Sequence, residues 1–150
     1  MDVKTILKRW GRSRETIGRL TADLKEVVDR LDATADIRPQ NFNGMPHGTA
    51  ISNPTENAAF KRMEILEACR DELRETIEML KSEEAFEIKV EGCFFFLSLT
   101  QENVIRRRYR EHMTQEQIAE ALEFSTRHVQ RLEHDALIIL EAVFHETNIL

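Results

Sequence analysis

The stretch T-Q-E-Q-I-A-E-A-L-E-F-S-T-R-H-V-Q-R-L occupies residues 114 to 132, and its spacing decides how the chain is read. Thr114 is an N-cap, with Gln117 three residues on as in a capping box. Ile118, Ala119 and Leu122 share one face of the helix that follows. Glu123-Phe124 is a turn, and Ser125 caps a second helix carrying Val129 and Leu132 inward. Ala119 is the small residue that lets two helices cross closely. Leu122 and Phe124 close the unit, giving a helix-turn-helix. Glu123 stands where such a turn usually has Gly, so an altered backbone is expected there.

The outward positions of the second helix are Thr126, Arg127, His128, Gln130 and Arg131, and no acid occurs from Ser125 to Leu132. Core packing alone explains the apolar positions but not this acid-free face. Arg can bond guanine with two hydrogen bonds, and Gln can do so with adenine. A helix N-terminus and hydroxyls suit phosphate. The function that follows is sequence-specific binding of double-stranded DNA.

The surrounding segment extends the pattern. Leu99 with V-I-R-R-R-Y (104 to 109), T-Q-E-Q-I-A-E-A-L and S-T-R-H-V-Q-R-L-E-H-D-A-L-I-I-L resemble the three helices of region 4 of bacterial sigma factors. The resemblance covers Leu99 to Leu140. It implies base contacts by Thr126, Arg127, Gln130 and Arg131. It places Arg106, Arg107, Arg108 and the Thr114 cap near the DNA backbone, and Ser125 and His128 are further phosphate candidates. Arg127 stands where the family often has Glu, so the sequence read should differ from a standard -35 element. Upstream there is no aromatic-rich promoter-melting helix of the region 2 type, so a full sigma factor is not expected. The layout, a helical N-terminal part before a region 4-like end, resembles phage and prophage regulators of the ArpU/RinA late-gene type. RNA polymerase contact is an expected property of that resemblance.

The formal net charge of -6 does not oppose this reading, because binding follows local charge. Lys4, Lys8, Arg9, Arg12, Arg14 and Arg19 cluster near the start, and Arg106, Arg107, Arg108 and Arg110 form a second cluster. Between Glu64 and Glu91 acids outnumber bases, as on a solvated helical surface. Scarce Gly and Pro, with abundant Leu, Glu, Ala, Ile and Arg, predict an all-α protein.

Val3, Ile6, Trp10, Ile17, Leu20, Leu24, Val27 and Leu31 recur at steps of three and four, with Ser13 in the one polar slot. This heptad stripe predicts a long helix over residues 1–34. Gly11 and Gly18 should each weaken it by roughly 1 kcal/mol relative to Ala. The stripe must be buried, on another helix of the chain or on a second copy. A homodimer through it is the expected assembly, and Trp10 belongs to its core. Residues 35–55 hold all three prolines and lose helical periodicity, so a loop or arm is expected.

A second helical segment is expected over 56–98, beginning near Asn53 to Thr55. Its stripe is Ala59, Met63, Leu66, Leu73, Ile77 and Leu80, interrupted by Arg70. This helix is expected to reach about Lys81 and to pair with the first as a hairpin. Over residues 82–99 the alternation of Phe86, Ile88 and Val90 allows a strand, although a helix buried on several sides is preferred. Phe94, Phe95 and Phe96 cannot all face one core and are expected at a junction. Residues 99–150 form the helix-turn-helix domain, with Thr100 as its first N-cap.

Other chemistry is not expected. The histidines show no metal spacing, and His145-Glu146 lacks the second His of a zincin motif because Ile149 occupies that position. There is no Gly-rich phosphate loop, and neither Cys69 nor Cys93 has a convincing His partner. No catalysis and no cofactor are assigned. Free thiols, no membrane-length apolar run and no secretory core at the N-terminus predict a cytoplasmic protein. Two other readings remain open: a DNA-packaging protein like a phage terminase small subunit, and a helix-turn-helix interaction module that does not bind DNA.

Overall fold

The structure is a computed structural model that describes residues 1–35 and 54–150. The order of elements is α1 (Val3–Ala35), α2 (Pro54–Cys93), a 3-10 turn (Phe94–Phe96), α3 (Leu99–Tyr109), α4 (Gln115–Leu122) and α5 (Thr126–Glu146). No strand occurs among the described residues, so the protein is all-α as its composition requires. Apart from its two ends, the arm expected over residues 35–55 lies outside the described residues.

The chain divides into two compact units, one of Met1–Gly18 with Lys81–Leu150 and one of Arg19–Leu80. The first unit is wider than the 99–150 segment delimited by the motif. The physical reason is the large core that α1 and α2 help to build. Val3, Ile6, Leu7 and Trp10 of α1, and Val90 and Cys93 of α2, pack with Phe94, Leu97, Ile105 and Tyr109. Ala136, Leu140, Val143 and Phe144 of α5 complete that core. Trp10 is wholly buried. The edge of its ring meets Phe94 with centroids 4.8 Å apart, and the Arg110 guanidinium lies 4.1 Å from its centroid. An edge-to-face pair and a desolvated cation over a ring each favour this geometry beyond area burial.

In this unit α1 and α2 run antiparallel. Trp10 meets Phe94, while Arg14, one turn further on, reaches back to Glu87 at 3.5 Å. Arg9 bonds Glu83 at 2.9 Å and stacks on Phe86. Ser13 fills its polar slot by donating its hydroxyl to the Trp10 carbonyl at 2.7 Å. The heptad stripe is thus covered from within the chain at Val3, Ile6 and Trp10. A homodimer through those same positions would have to displace the chain's own core.

Gly11 has a role that its helix propensity hides. A Cβ there would stand 2.0 Å from the Tyr109 carbonyl oxygen, so α1 seats against the end of α3 only because the side chain is absent. At Gly18 a Cβ would meet nothing within 4 Å.

Helix α2 continues past Lys81, where its stripe was expected to end, to Cys93. Residues 82–93 are therefore helical rather than a strand, but the helix is buried along one face and not on several sides, and the chain leaves it in the 3-10 turn before α3. Phe86 is half-buried, Val90 is buried and Ile88 is exposed, because alternate residues do not share a helical face. Along α2 in the Arg19–Leu80 unit, Leu66, Leu73, Ile77 and Leu80 of the expected stripe are half-buried and Met63 is exposed, like the interrupting Arg70, while the buried positions are Cys69 and Thr76. Thr76 tolerates burial by donating its hydroxyl to the Glu72 carbonyl at 2.8 Å. Leu20 and Val27 of α1 are buried in that unit, and Arg30 bonds Glu72 at 2.9 Å.

The three phenylalanines do not share one environment. Phe94 enters the core, while Phe95 and Phe96 remain 89% and 61% exposed. The next helix is capped by Ser98 rather than by Thr100. Ser98 accepts from the Gln101 N–H at 3.2 Å, and the Gln101 side chain accepts from the Ser98 N–H at 3.0 Å. Only Ser98 has a Gln three residues ahead to complete the box. Among the described residues, no helix is long and apolar enough to cross a membrane.

Candidate nucleic-acid interface

Helices α3, α4 and α5 close over a second, smaller core. Val104, Ile118, Ala119 and Val129 are buried there, with Met113, Leu122 and Leu132 packed around them. Helix α3 serves both cores, since Val104 enters this one while Ile105 and Tyr109 enter the larger one. Helix α5 does the same along its length, which fixes its N-terminal turns to the body of the unit.

Local chemistry sets each boundary as expected. Thr114 accepts from the Gln117 N–H at 3.2 Å, and Gln117 accepts from the Thr114 N–H at 2.9 Å. Ser125 accepts from the His128 N–H at 3.2 Å. Glu123 adopts the left-handed conformation, with φ 58° and ψ 37°. The Phe124 N–H bonds the Ala119 carbonyl at 2.9 Å and the Glu123 N–H reaches that of Glu120 at 3.3 Å. This is a Schellman end with a glutamate where Gly would be unstrained.

On the outer face of α5, Arg127, His128, Gln130 and Arg131 are exposed and Thr126 is half-buried. Among the described residues, Arg127 and Arg131 make no ion pair. The His128 ring meets Phe124 edge to face, 4.8 Å between centroids. Gln130 donates to Gln115 at 3.2 Å, and Gln115 donates to Glu133 at 2.8 Å. The four residues expected to contact bases therefore sit together on the first two turns of α5.

The phosphate candidates are less uniform. Arg106 is held by Glu102 at 2.8 Å and Glu91 at 3.4 Å. Arg108 donates to the Met113 carbonyl at 3.1 Å and lies 3.7 Å from Glu133. Arg107, half-buried, makes no ion pair among the described residues. Thr114 and Ser125 use their oxygens as caps and keep an O–H to donate. Both stand at helix N-termini, where backbone N–H groups and the helix dipole favour anions.

Sequence reasoning left Glu133 without a role of its own. It is 7% exposed and is the point at which three helices meet. Tyr109 donates its hydroxyl to it at 3.4 Å from α3, Gln115 bonds it from α4, and Arg108 faces it. Burial, followed by the neighbouring Glu133 charge, pushes the Tyr109 phenol up to about 12. The available signal was an acid one helical turn beyond Val129, on the face that packs rather than the outward face.

A capped three-helix unit with a rigidly mounted, cation-bearing second helix is a helix-turn-helix of the nucleic-acid-binding type. Residues 97–140 match the family model for Sigma-70, region 4. The matched segment takes in α3, α4 and most of α5. No curated protein and no solved structure matches the chain.

Proposed function

We propose that the chain is a sequence-specific DNA-binding transcriptional regulator that reads the major groove with the first two turns of α5. The observation that carries this is the pairing pattern. Arg127 and Arg131 stand exposed and, among the described residues, without carboxylate partners, on a helix whose position is fixed by two cores and the Glu133 hub. Thr126 and Gln130 lie beside them. Phosphate contacts come from the N-termini of α4 and α5, with Thr114, Ser125 and His128, and from Arg107 at the end of α3. The role is recognition rather than catalysis. The resemblance of the whole layout to phage and prophage late-gene regulators supports a place among them, with RNA polymerase as a second partner.

Selection of bound sequences from a randomised duplex library at near-physiological salt tests the reading. A sharp motif is expected, and its symmetry reports whether one or two copies bind. Arg127→Ala and Arg131→Ala should each weaken binding to that motif by about 1 to 3 kcal/mol. A library with no enriched sequence, together with variants that bind DNA as the parent does, would overturn it.

A further inference from the structure

We infer that the first three turns of α1 form a phosphate-binding strip that widens the DNA footprint beyond the helix-turn-helix. The inference rests on the DNA-binding reading above and deepens it. Lys4, Lys8 and Arg12 recur every four residues, so they form one row along the helix. All three are exposed, and none forms an ion pair among the described residues. Like charges at this spacing repel by a few tenths of a kcal/mol per pair, so the row does nothing for the helix itself. The helix is held instead by Val3, Ile6, Leu7 and Trp10 in the large core.

The row lines a depression of about 390 Å³, together with Arg108, Tyr109, His112 and Glu133. The one carboxylate in that wall is already engaged by Arg108, Tyr109 and Gln115. The uncompensated charge of the depression is therefore positive.

Its position joins it to the reading face. His112 stands two residues before Thr114, the cap of α4. Glu133 in the wall is bonded to Gln115, which is bonded to Gln130 on the face of α5. Lys4 also lines a second depression with His134 and Ile138 of α5, whose wall includes the Asp2 and Glu141 carboxylates, so only its Lys4 edge belongs to the strip. The strip thus borders the recognition helix on one side. From Lys4 to Arg12 it extends about 12 Å at 1.5 Å per residue. Phosphates of one strand advance about 3.4 Å along the axis, so about four successive phosphates lie within that length, enough for one contact from each of the three cations.

The test compares the full chain with its Lys4→Gln/Lys8→Gln/Arg12→Gln variant on a random-sequence duplex, from about 50 to 200 mM salt. The slope of log K against log salt should become less negative by about 2 to 3, since each lost contact removes about 0.9. Preference for the selected motif over random duplex should not change, because phosphate contacts carry no sequence information. The charge-conserving Lys4→Arg/Lys8→Arg/Arg12→Lys variant should restore the slope, which separates lost charge from lost folding. A parent that binds DNA with the same slope as the glutamine variant would overturn the strip and leave the reading of α5 intact. A parent that binds no duplex at any salt would overturn both.

Discussion

Arg106, Arg108 and Arg110 at the end of α3 each face carboxylates of their own chain, whereas Arg127 and Arg131 at the start of α5 face none among the described residues. In sequence both clusters are basic and both border a helix-turn-helix. In the first cluster, Arg106, Arg108 and Arg110 lie where α2 presents Glu87 and Glu91 and α5 presents Glu133, so their charge is neutralised inside the unit, while Arg107 between them makes no ion pair among the described residues. The second lies on a face with no acid from Ser125 to Leu132, so its charge remains available. Local basicity therefore does not show which cations are left unpaired; the position of the nearest carboxylate does.

The comparison can be broken from its foundation upward. Gly11→Ala forces a side chain into the Tyr109 carbonyl and should unseat the end of α3 that carries the first cluster. A loss of about 3 kcal/mol is expected in denaturant unfolding, against a gain of up to about 1 kcal/mol for Gly18→Ala, which meets only solvent.

Arg110 bonds Glu87 at 2.9 Å and Glu91 at 3.3 Å, with its side chain 11% exposed. Arg110→Ala should lower stability by about 2 to 3 kcal/mol, because partly buried carboxylates lose their cation. Arg131→Ala should leave stability within about 0.5 kcal/mol of the parent. Equal losses in thermal or denaturant unfolding would erase the distinction between the clusters.

Glu123→Gly sharpens the comparison on the α5 side. Removing the left-handed glutamate should raise stability by about 1 kcal/mol while leaving the α5 face in place. A smaller effect belongs to Tyr109. Its folded-state pKa, raised to about 12, lies above the ordinary value of 10.0. Its contribution to stability is therefore complete below pH 10 and is lost as pH rises towards 12. Tyr109→Phe should remove that part of the decline, seen as unfolding curves that differ less between pH 9 and pH 11.5 than those of the parent.

Much of the fold was legible without coordinates because periodic apolar residues, caps and turns are local signals. The Thr114 box, the Ser125 cap, the odd backbone at Glu123 and the stripe through Val3, Ile6, Trp10 and Ser13 all follow from neighbours a few residues apart. Cys69 and Thr76 hid the buried line of α2, since a polar hydroxyl and a thiol do not announce a core position. Ser98 and Thr100, two residues apart, are competing cap candidates in the sequence, and only the Gln101 side chain decides between them.

The amino-acid sequence by itself determined that the protein is helical, where α4 and α5 begin, and which residues face outward on α5, since these depend on spacing along one chain. Tertiary structure alone decided that Arg127 and Arg131 make no ion pair among the described residues, why Gly11 cannot carry a side chain, and that Glu133 ties three helices together. It also brought Lys4, Lys8 and Arg12 beside a motif about a hundred residues away. Charge compensation and steric fit are properties of groups distant in sequence, and only the folded chain brings those groups within a few ångströms.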